Sequence, residues 1–432
     1  MNFKQSTLFS IVASFGLILF NMLTNVIISR VLGPSEIGRY QVFITTQTLL
    51  STFFALGLGQ SCIYFINALK IDEHKVLSTT VNAMLPIALV ASLLLLVIIM
   101  LNPEYFGKEN IWSVIFFCMG TAALLLNNIF TPVLLARMEV VKNQIVRYST
   151  TVFTFIVLAI AILIIGKLYV GYLLALSGLS SLLSLSILYY YFSKRFSFSE
   201  GVDMTLFKNI LKWGIKLAGN NIASLILTSI PVYFLTWFSD SDGFVSVGYY
   251  SRANSLLVIG TVIASSIGPL LYSKWSSVKG VELRNQVKRV SLLLVFVNIT
   301  LAIVLFVFAP LIIKILYGAE FQSAVPVLRI LAFSLIANGA KEVCYGILSS
   351  QGAPLCILKN LIIGISLCVI LNYVIIPNYG VQGCALVTVV VSFATVLLLQ
   401  FNISRITYVS ISDFYTLPKK KDMMFIIFLK KH

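Results

Sequence analysis

Charged residues are scarce in this sequence. Only 11% of its 432 residues are Asp, Glu, Lys or Arg, and 59% are hydrophobic, whereas soluble proteins are about one quarter charged. The only two histidines, His74 and His432, do not suffice for a histidine metal site or proton relay. The six cysteines lie in apolar runs without zinc-ligand spacing, and no Gly-x-x-x-x-Gly-Lys-Ser/Thr phosphate loop occurs. The composition predicts an integral membrane protein without metal, cofactor or ATPase module.

The apolar residues form twelve runs, each close to the roughly 20 residues that an α-helix needs to cross a bilayer. The first run continues from Lys4 to Arg30, which is too long for a signal peptide, so we expect it to be retained. We therefore predict an all-α polytopic membrane protein of about twelve transmembrane helices. The predicted segments are 8–30, 37–66, 77–101, 111–136, 144–166, 168–192, 206–238, 245–272, 289–316, 325–350, 354–376 and 380–403.

Lysine and arginine are concentrated in alternate connections. If the N-terminus is cytoplasmic, most of these residues fall on the cytoplasmic side, as the positive-inside rule requires. Both termini are therefore predicted to be cytoplasmic. The net charge of +16 is explained by this asymmetry, without a nucleic-acid partner.

Short landmarks recur at a nearly constant separation, which indicates an internal duplication. They pair Gly38-Arg39-Tyr40 with Gly248-Tyr249-Tyr250, Gly107-Lys108-Glu109 with Gly318-Ala319-Glu320, and Gly171 with Gly383. The two members of each pair lie at equivalent points of two six-helix units, so two parallel six-helix lobes are predicted. The predicted domains are an N-terminal lobe (1–193), a cytoplasmic linker with an interfacial helix (194–213), a C-terminal lobe (214–404) and a basic cytoplasmic tail (405–432).

Ionisable and amide side chains inside apolar segments are the candidate functional residues, because burying them in lipid is costly. Arginine and lysine suit phosphate oxygens, and amides suit sugar hydroxyls. Glu342 is the candidate for ion coupling, although a structural charge pair with Lys341 is the alternative. The polar residues could equally hold helices together. The candidate substrate-binding residues are Asn21, Asn25, Gln41, Lys216, Asn220, Arg252 and Lys341.

Four stretches resemble landmarks of bacterial Wzx-type polysaccharide flippases, which belong to the multidrug/oligosaccharidyl-lipid/polysaccharide exporter superfamily. They are RVLGPSEIGRY (30–40), ILYGAEF (315–321), SSQGAP (349–354) and IIPNYGVQGCAL (375–386). The resemblance implies a MATE-like fold in which helices 1, 2, 7 and 8 line a central cavity between the lobes. It also implies alternating access and no enzymatic activity.

The same resemblance implies an undecaprenyl-pyrophosphate-linked oligosaccharide as substrate, for O-antigen (lipopolysaccharide) or another surface polysaccharide. The expected location is the bacterial inner (cytoplasmic) membrane. Candidate partners besides the lipid bilayer are a proton or sodium ion for coupling and a polysaccharide polymerase.

Three alternatives remain open. A drug/cation antiporter of the same superfamily has this topology, but such proteins characteristically carry an acidic residue where segment 1 has Asn21 and Asn25. The lipid II flippase family typically has extra helices and a more arginine-rich first helix. A membrane-embedded glycan polymerase or ligase generally uses a large periplasmic loop, and the outer connections predicted here are short.

Overall fold

The computed structural model describes residues 3–107, 109–137, 139–193, 201–238, 243–261, 271, 274–275, 278 and 280–416, with side chains from residue 16 onward except that of residue 140. Within these ranges the regular secondary structure is helical, and nine helices are long and apolar enough to cross a membrane. The predicted all-α polytopic membrane fold is therefore confirmed. Residues 194–200 of the predicted linker and 417–432 of the predicted basic tail lie outside the described residues.

The chain divides into two compact units, Met1–Ile226 and Leu227–His432. The helices of the first unit, together with α8, which continues past its end, are α1 (Phe3–Ala55), α2 (Leu58–Ile63, extended by a π-turn over Tyr64–Ala68), α3 (Glu73–Leu101), α4 (Pro103–Phe106), α5 (Ile111–Ala136), α6 (Val140–Ile165), α7 (Val170–Phe192) and α8 (Met204–Phe238). The second unit contains α9 (Gly243–Leu256), α10 (Gly280–Tyr317), α11 (Ala324–Ala332), α12 (Ser334–Ser350), α13 (Pro354–Ile406) and 3₁₀ turns at Ala319–Phe321 and Ile411–Phe414.

Helix α13 contains predicted segments 11 and 12, and α1 contains segment 1 and the greater part of segment 2. Each has 53 residues, about 80 Å at 1.5 Å per residue, which is more than twice the hydrocarbon thickness of about 30 Å. Gly33 (φ 71°) and Gly380 (φ 52°) interrupt them with backbone angles that glycine adopts readily. These breaks separate predicted segments 1 from 2 and 11 from 12. Predicted segment 8 begins in α9 and runs into residues 262–270, outside the described part of the chain.

The second predicted segment, 37–66, is broken where the sequence predicted a continuous helix. Leu56 and Gly57 have positive φ angles of 46° and 66°. A Cβ atom on Gly57 would lie 2.6 Å from the Gly214 carbonyl oxygen, and one on Gly214 would lie 2.5 Å from the Leu56 carbonyl oxygen. The break therefore occurs where α8 approaches the backbone closely, a tertiary contact that no local pattern indicates.

The stretch Met204–Trp213 is the beginning of α8, which runs without interruption to Phe238 and matches the predicted segment 206–238. Its position along the cytoplasmic interface stays a prediction. Asp203 caps this helix by accepting a hydrogen bond from the Leu206 amide at 3.0 Å. That bond, with an ion pair to Lys75, holds the pKa of the Asp203 carboxyl well below its usual range. The compact units divide inside α8, between Ile226 and Leu227, and the lobe boundary at 194–213 stays a prediction.

The beginning of α8 packs on α2 and its π-turn. The Ser61 hydroxyl donates to the Ile210 carbonyl at 2.6 Å, and the rings of Tyr64 and Trp213 stack with centroids 4.3 Å apart. Through these contacts, the amphipathic first part of α8 packs against α2 and its π-turn.

Helices α5 and α7 meet at two glycines. A Cβ atom on Gly120 would lie 2.6 Å from the Gly178 Cα, and one on Gly178 would lie 2.1 Å from the Phe116 carbonyl oxygen. Such small residues let membrane helices pack backbone to backbone. This contact fixes the relative position of two helices that carry polar residues described below.

The two units share a backbone feature at one pair of the repeated landmarks. Gly107 has φ 75° and ψ 176°, and Gly318 has φ 93° and ψ −179°. Each glycine follows a buried aromatic residue, Phe106 or Tyr317. The shared conformation at equivalent positions supports the predicted duplication.

A short turn after α13 is tied to the start of α10. Asp413, whose side chain is 2% exposed, accepts hydrogen bonds from Arg284 Nε (2.7 Å) and Nη2 (3.0 Å) and pairs with Lys288 Nζ at 3.0 Å. Burial alone would raise the pKa of the Asp413 carboxyl. The bonds from Arg284, the Ser410 amide and Lys288 outweigh burial, so its pKa lies well below the usual range.

Asp413→Asn is expected to lower the free energy of unfolding by about 1.5–3 kcal/mol, the range for hydrogen bonds to charged groups. Because the folded-state pKa is depressed, this stabilisation is complete above the ordinary pKa of about 3.9 and is lost as the pH falls through the folded-state value. Thermal unfolding in detergent should therefore show a constant gap between wild type and variant near neutral pH that narrows below about pH 4. Thr416→Ala, at an exposed residue of the same turn, is the control, and a gap unchanged in acid would contradict the assignment.

All six cysteines are free thiols. Cys62, Cys118, Cys344, Cys368 and Cys384 are buried, and Cys356 is half-buried. They contribute to packing, as predicted from their apolar surroundings. Across the described residues, no cluster of three or more His, Cys, Asp or Glu could hold a metal ion.

Candidate functional site

The three predicted site residues of α1 differ in exposure and in hydrogen-bond partners. Asn21 is exposed, and its Nδ2 donates to the Leu17 carbonyl at 2.9 Å. Asn25 is half-buried one turn further on. Gln41 is half-buried and donates from Nε2 to the Thr45 hydroxyl at 3.2 Å. All three amides are partly accessible, and their role in binding stays a prediction.

Lys216 and Asn220 lie one turn apart on α8, within the first unit. Lys216 is exposed, and its Nζ lies 5.6 Å from the ring centroid of Trp213. Asn220 is half-buried. A lysine held over an indole face keeps its charge accessible, because the cation–π contact uses only one side of the ammonium.

Arg252, Lys341 and Glu342 belong to the second unit. Arg252 is only 5% exposed on α9, so contact with a substrate requires a conformation that uncovers it. Lys341 and Glu342 are half-buried neighbours on α12, and the Lys341 Nζ lies 6.0 Å from the Tyr345 ring centroid. Lys216 and Lys341 thus each contact an aromatic ring of their own helix.

An ionic network joins the helix ends on the predicted cytoplasmic side of the first unit. Arg137, at the end of α5, pairs with Glu73 at the start of α3 and lies 3.6 Å from Glu139. Glu139 also pairs with Lys142 at 3.0 Å on the first turn of α6. These pairs fix the connections between the helices at this end of the unit.

On the opposite side of the same unit, Arg39 Nη1 lies 3.4 Å from Glu36 and 3.7 Å from Glu109. Burial raises the pKa of the Glu109 carboxyl above its usual value, although the Arg39 charge opposes the shift. Both ends of the unit are therefore held by ion pairs between connections.

The first unit also contains an open pocket of about 240 Å³ that the sequence did not predict. We call it the polar cavity. Nine of its ten lining residues are Ser, Thr or Asn, and of the predicted site residues it includes Asn21. It is lined by Asn21, Thr24, Leu124, Asn127, Thr150, Thr151, Thr154, Ser180, Ser181 and Ser184.

A sequence signal for the polar cavity existed in α7. Ser177, Ser180, Ser181 and Ser184 are spaced by three, four and seven residues, so they share one helical face. Thr150, Thr151 and Thr154 form a similar group in α6. Neither group contains a charge, and such residues are common between membrane helices. Only the structure shows that the two faces meet.

Comparisons with known proteins place the chain in a family. Residues 3–272 match the family described as polysaccharide biosynthesis protein. An uncharacterized membrane protein of Methanocaldococcus jannaschii is 30% identical over 188 residues, which are 43% of this chain and 37% of that protein. The match thus spans little more than a third of the length of this curated relative.

Solved structures of transporters share the fold. The lipid II flippase MurJ, in an inward closed conformation, is similar with a TM-score of 0.75 and 17% identity over 98% of this chain and 93% of that one. An inward-facing MATE family multidrug resistance transporter of the MOP superfamily gives a TM-score of 0.69 and 15% identity over 90% and 94%. A MOP superfamily transporter from Pyrococcus furiosus gives 0.61 and 16% over 95% of each chain.

At these identities the structural likeness shows a common fold, and the family match extends over more than half of the sequence. The predicted resemblance to polysaccharide flippases of this superfamily is confirmed at the level of family and fold. This polytopic membrane protein belongs to the polysaccharide biosynthesis protein family and has the fold of MOP superfamily transporters.

Proposed function

We propose that this protein is a flippase that moves undecaprenyl-pyrophosphate-linked oligosaccharide units from the cytoplasmic to the outer leaflet of a bacterial inner membrane. The observation that carries the proposal is the family match to polysaccharide biosynthesis proteins in a chain built from membrane helices. The described connections between these helices are short. A polysaccharide precursor must then be handled within the bilayer, which favours transport over catalysis in a separate domain.

The chemistry of the predicted site suits both parts of such a substrate. Lys216, Arg252 and Lys341 provide positive charge for a pyrophosphate, and arginine can bind its oxygens through two parallel hydrogen bonds. Asn21, Asn25, Gln41 and Asn220 provide the donors and acceptors that sugar hydroxyls require. In this proposal the polyprenyl tail stays in the lipid while the head group crosses by alternating access.

Glu342 is proposed to couple transport to a proton or sodium ion. It is half-buried on α12 beside Lys341, and an intramembrane carboxylate is costly unless it has a partner or a function. A polysaccharide polymerase is the proposed protein partner, since the flipped units must be assembled on the outer face.

A deletion strain tests the proposed function. Lipid-linked oligosaccharides would be identified by mass spectrometry, and outer-face labelling would assign them to a leaflet. The flippase proposal expects complete repeat units to accumulate on the cytoplasmic face, and their composition would identify the sugars of O-antigen, capsule or another polysaccharide. A plasmid carrying the intact gene is the control and should restore surface polysaccharide.

The other outcomes reject the proposal. Accumulation on the outer face would indicate a defect in a polymerase or ligase. No accumulation of any lipid-linked unit would favour a small-molecule antiporter, a function that the fold also accommodates.

A further inference from the structure

The polar cavity lies at one depth in the first unit. Asn127 is nine residues from the end of α5, Thr151 is eleven residues from the start of α6, and Ser181 is eleven residues from the end of α7. At 1.5 Å per residue these positions are about 14–17 Å from helix ends that lie on the same side. The cavity is therefore near the middle of a hydrocarbon layer about 30 Å thick, where transporters bind their substrates.

The hydroxyl groups around the polar cavity face it mainly as hydrogen-bond acceptors. Thr151 donates to the Arg147 carbonyl at 2.9 Å, Ser181 to the Ser177 carbonyl at 2.9 Å, and Thr24 to the Phe20 carbonyl at 2.9 Å. A hydroxyl has one hydrogen to donate and two lone pairs. Once the hydrogen is used within the helix, the lone pairs remain for a ligand. The hydroxyls of Thr154 and Ser180 also bond to each other at 2.7 Å, which leaves an acceptor position on this pair.

Asn127 also indicates a ligand site, because its acceptor atom Oδ1 is buried and accepts no hydrogen bond from the described residues. The residue is 9% exposed, its Nδ2 donates to the Ser181 carbonyl at 3.4 Å, and its Oδ1 has no hydrogen-bond partner among the described residues. A buried polar atom without a partner costs about 1–3 kcal/mol. A ligand that donates a hydrogen bond to Asn127 would remove this cost.

The lining limits the chemistry of that ligand. It contains no charged side chain, so it offers nothing to neutralise a carboxylate or phosphate. Its many acceptors require a partner with several donors. Its volume of about 240 Å³ is well above the roughly 10–15 Å³ that a single water molecule needs on the same measure, so it has room for a ligand larger than water, such as one monosaccharide unit.

We propose that the polar cavity binds one neutral sugar unit of the transported glycan through hydrogen bonds to Asn127, Thr154 and neighbouring hydroxyls. The inference rests on the proposed function and assigns recognition of the sugar to the first unit. The cationic residues then serve the pyrophosphate. Sugars that carry a carboxylate are disfavoured here, because their charge would meet only neutral acceptors.

Binding to the purified full-length protein tests the cavity directly. The probes are methyl α-glucoside, methyl N-acetyl-α-glucosaminide and methyl glucuronide, observed by saturation-transfer NMR in nanodiscs. We expect at least one neutral glycoside to bind and the glucuronide to bind more weakly. Asn127→Leu and Thr154→Val should each weaken binding about tenfold, since about 1.4 kcal/mol corresponds to one decade.

Thr79→Val is the matched control, because Thr79 is a 2% exposed threonine of α3 outside the cavity. Thermal unfolding verifies that each variant is folded, and Thr154→Val provides a milder change if Asn127→Leu is unstable. Neutral glycosides that bind wild type and both cavity variants equally, or not at all, overturn the proposal. Stabilisation by sodium in place of sugar, lost in Asn127→Leu, also overturns it.

A transport assay separates this inference from the proposed function. Proteoliposomes would receive polyprenyl pyrophosphate either bare or carrying the neutral sugar that binds. We expect Asn127→Leu to lower the transport rate of the glycosylated lipid about tenfold and to leave the transport rate of the bare lipid unchanged. If wild type moves the glycosylated lipid and the variant moves it equally well, the cavity assignment fails while the flippase stands. If wild type moves neither lipid but Asn127 still governs sugar binding, the flippase proposal fails alone.

Discussion

Gly178→Val is expected to abolish recovery of folded protein. A Cβ atom at this position would lie 2.1 Å from the Phe116 carbonyl oxygen and 2.5 Å from its carbonyl carbon, and both belong to the backbone of α5. Backbone atoms of a packed helix cannot rotate away as the end of a side chain can. We therefore expect the free energy of unfolding to fall by about 3 kcal/mol or more, which is at or above the usual cost of overpacking a protein core.

The yield of monodisperse protein and its thermal unfolding in detergent measure this effect. Gly201→Val is the matched control, since a Cβ atom there meets no other atom within 4 Å and should change little. Gly178→Ala should lie between the two. Wild-type yield and melting temperature for Gly178→Val would show that α5 and α7 do not pack through this contact.

Lys341→Ala is expected to slow transport of a lipid-linked oligosaccharide about 30-fold in proteoliposomes. Removal of one buried charge partner costs about 2 kcal/mol or more, and about 1.4 kcal/mol is a decade. Lys341 is half-buried on α12, with its ammonium near the Tyr345 ring. Lys359→Ala is the control, because this lysine of the same unit is exposed.

Transport by Lys341→Ala at the wild-type rate, with normal protein abundance, would remove Lys341 from the anion site.

Glu342→Gln tests the role of the neighbouring carboxylate. If Glu342 couples transport to protons, this variant should lose the pH dependence that wild type shows. Identical pH profiles of wild type and Glu342→Gln would exclude that role.

The breaks that depend on local backbone chemistry were predictable from the sequence. Glycine and proline mark the turns at Gly33, Gly352 and Gly380, and the structure places helix ends or kinks at each. The break at Leu56–Gly57 was not predictable, since it reflects the approach of Gly214 from a distant helix.

The candidate site was predictable only where a residue is unusual for a membrane helix. Lys216, Arg252, Lys341 and Glu342 stand out by their charge, and their roles remain predictions. The polar cavity was missed because serine and threonine usually bond to their own helix, as Thr151 and Ser181 do here. Its significance comes from α5, α6 and α7, which place Asn127 and the neighbouring hydroxyl groups at one depth.

The burial of the cysteines makes this protein well suited to site-directed labelling. Thiol reagents in water reach accessible sulfurs, and five of the six native thiols are enclosed by packed helices. Cys356, which is half-buried, is the one native position that would need replacement. A spin label or fluorophore attached to a cysteine introduced near Asn21 or Lys216 would then respond to its own surroundings, with little background from the rest of the chain.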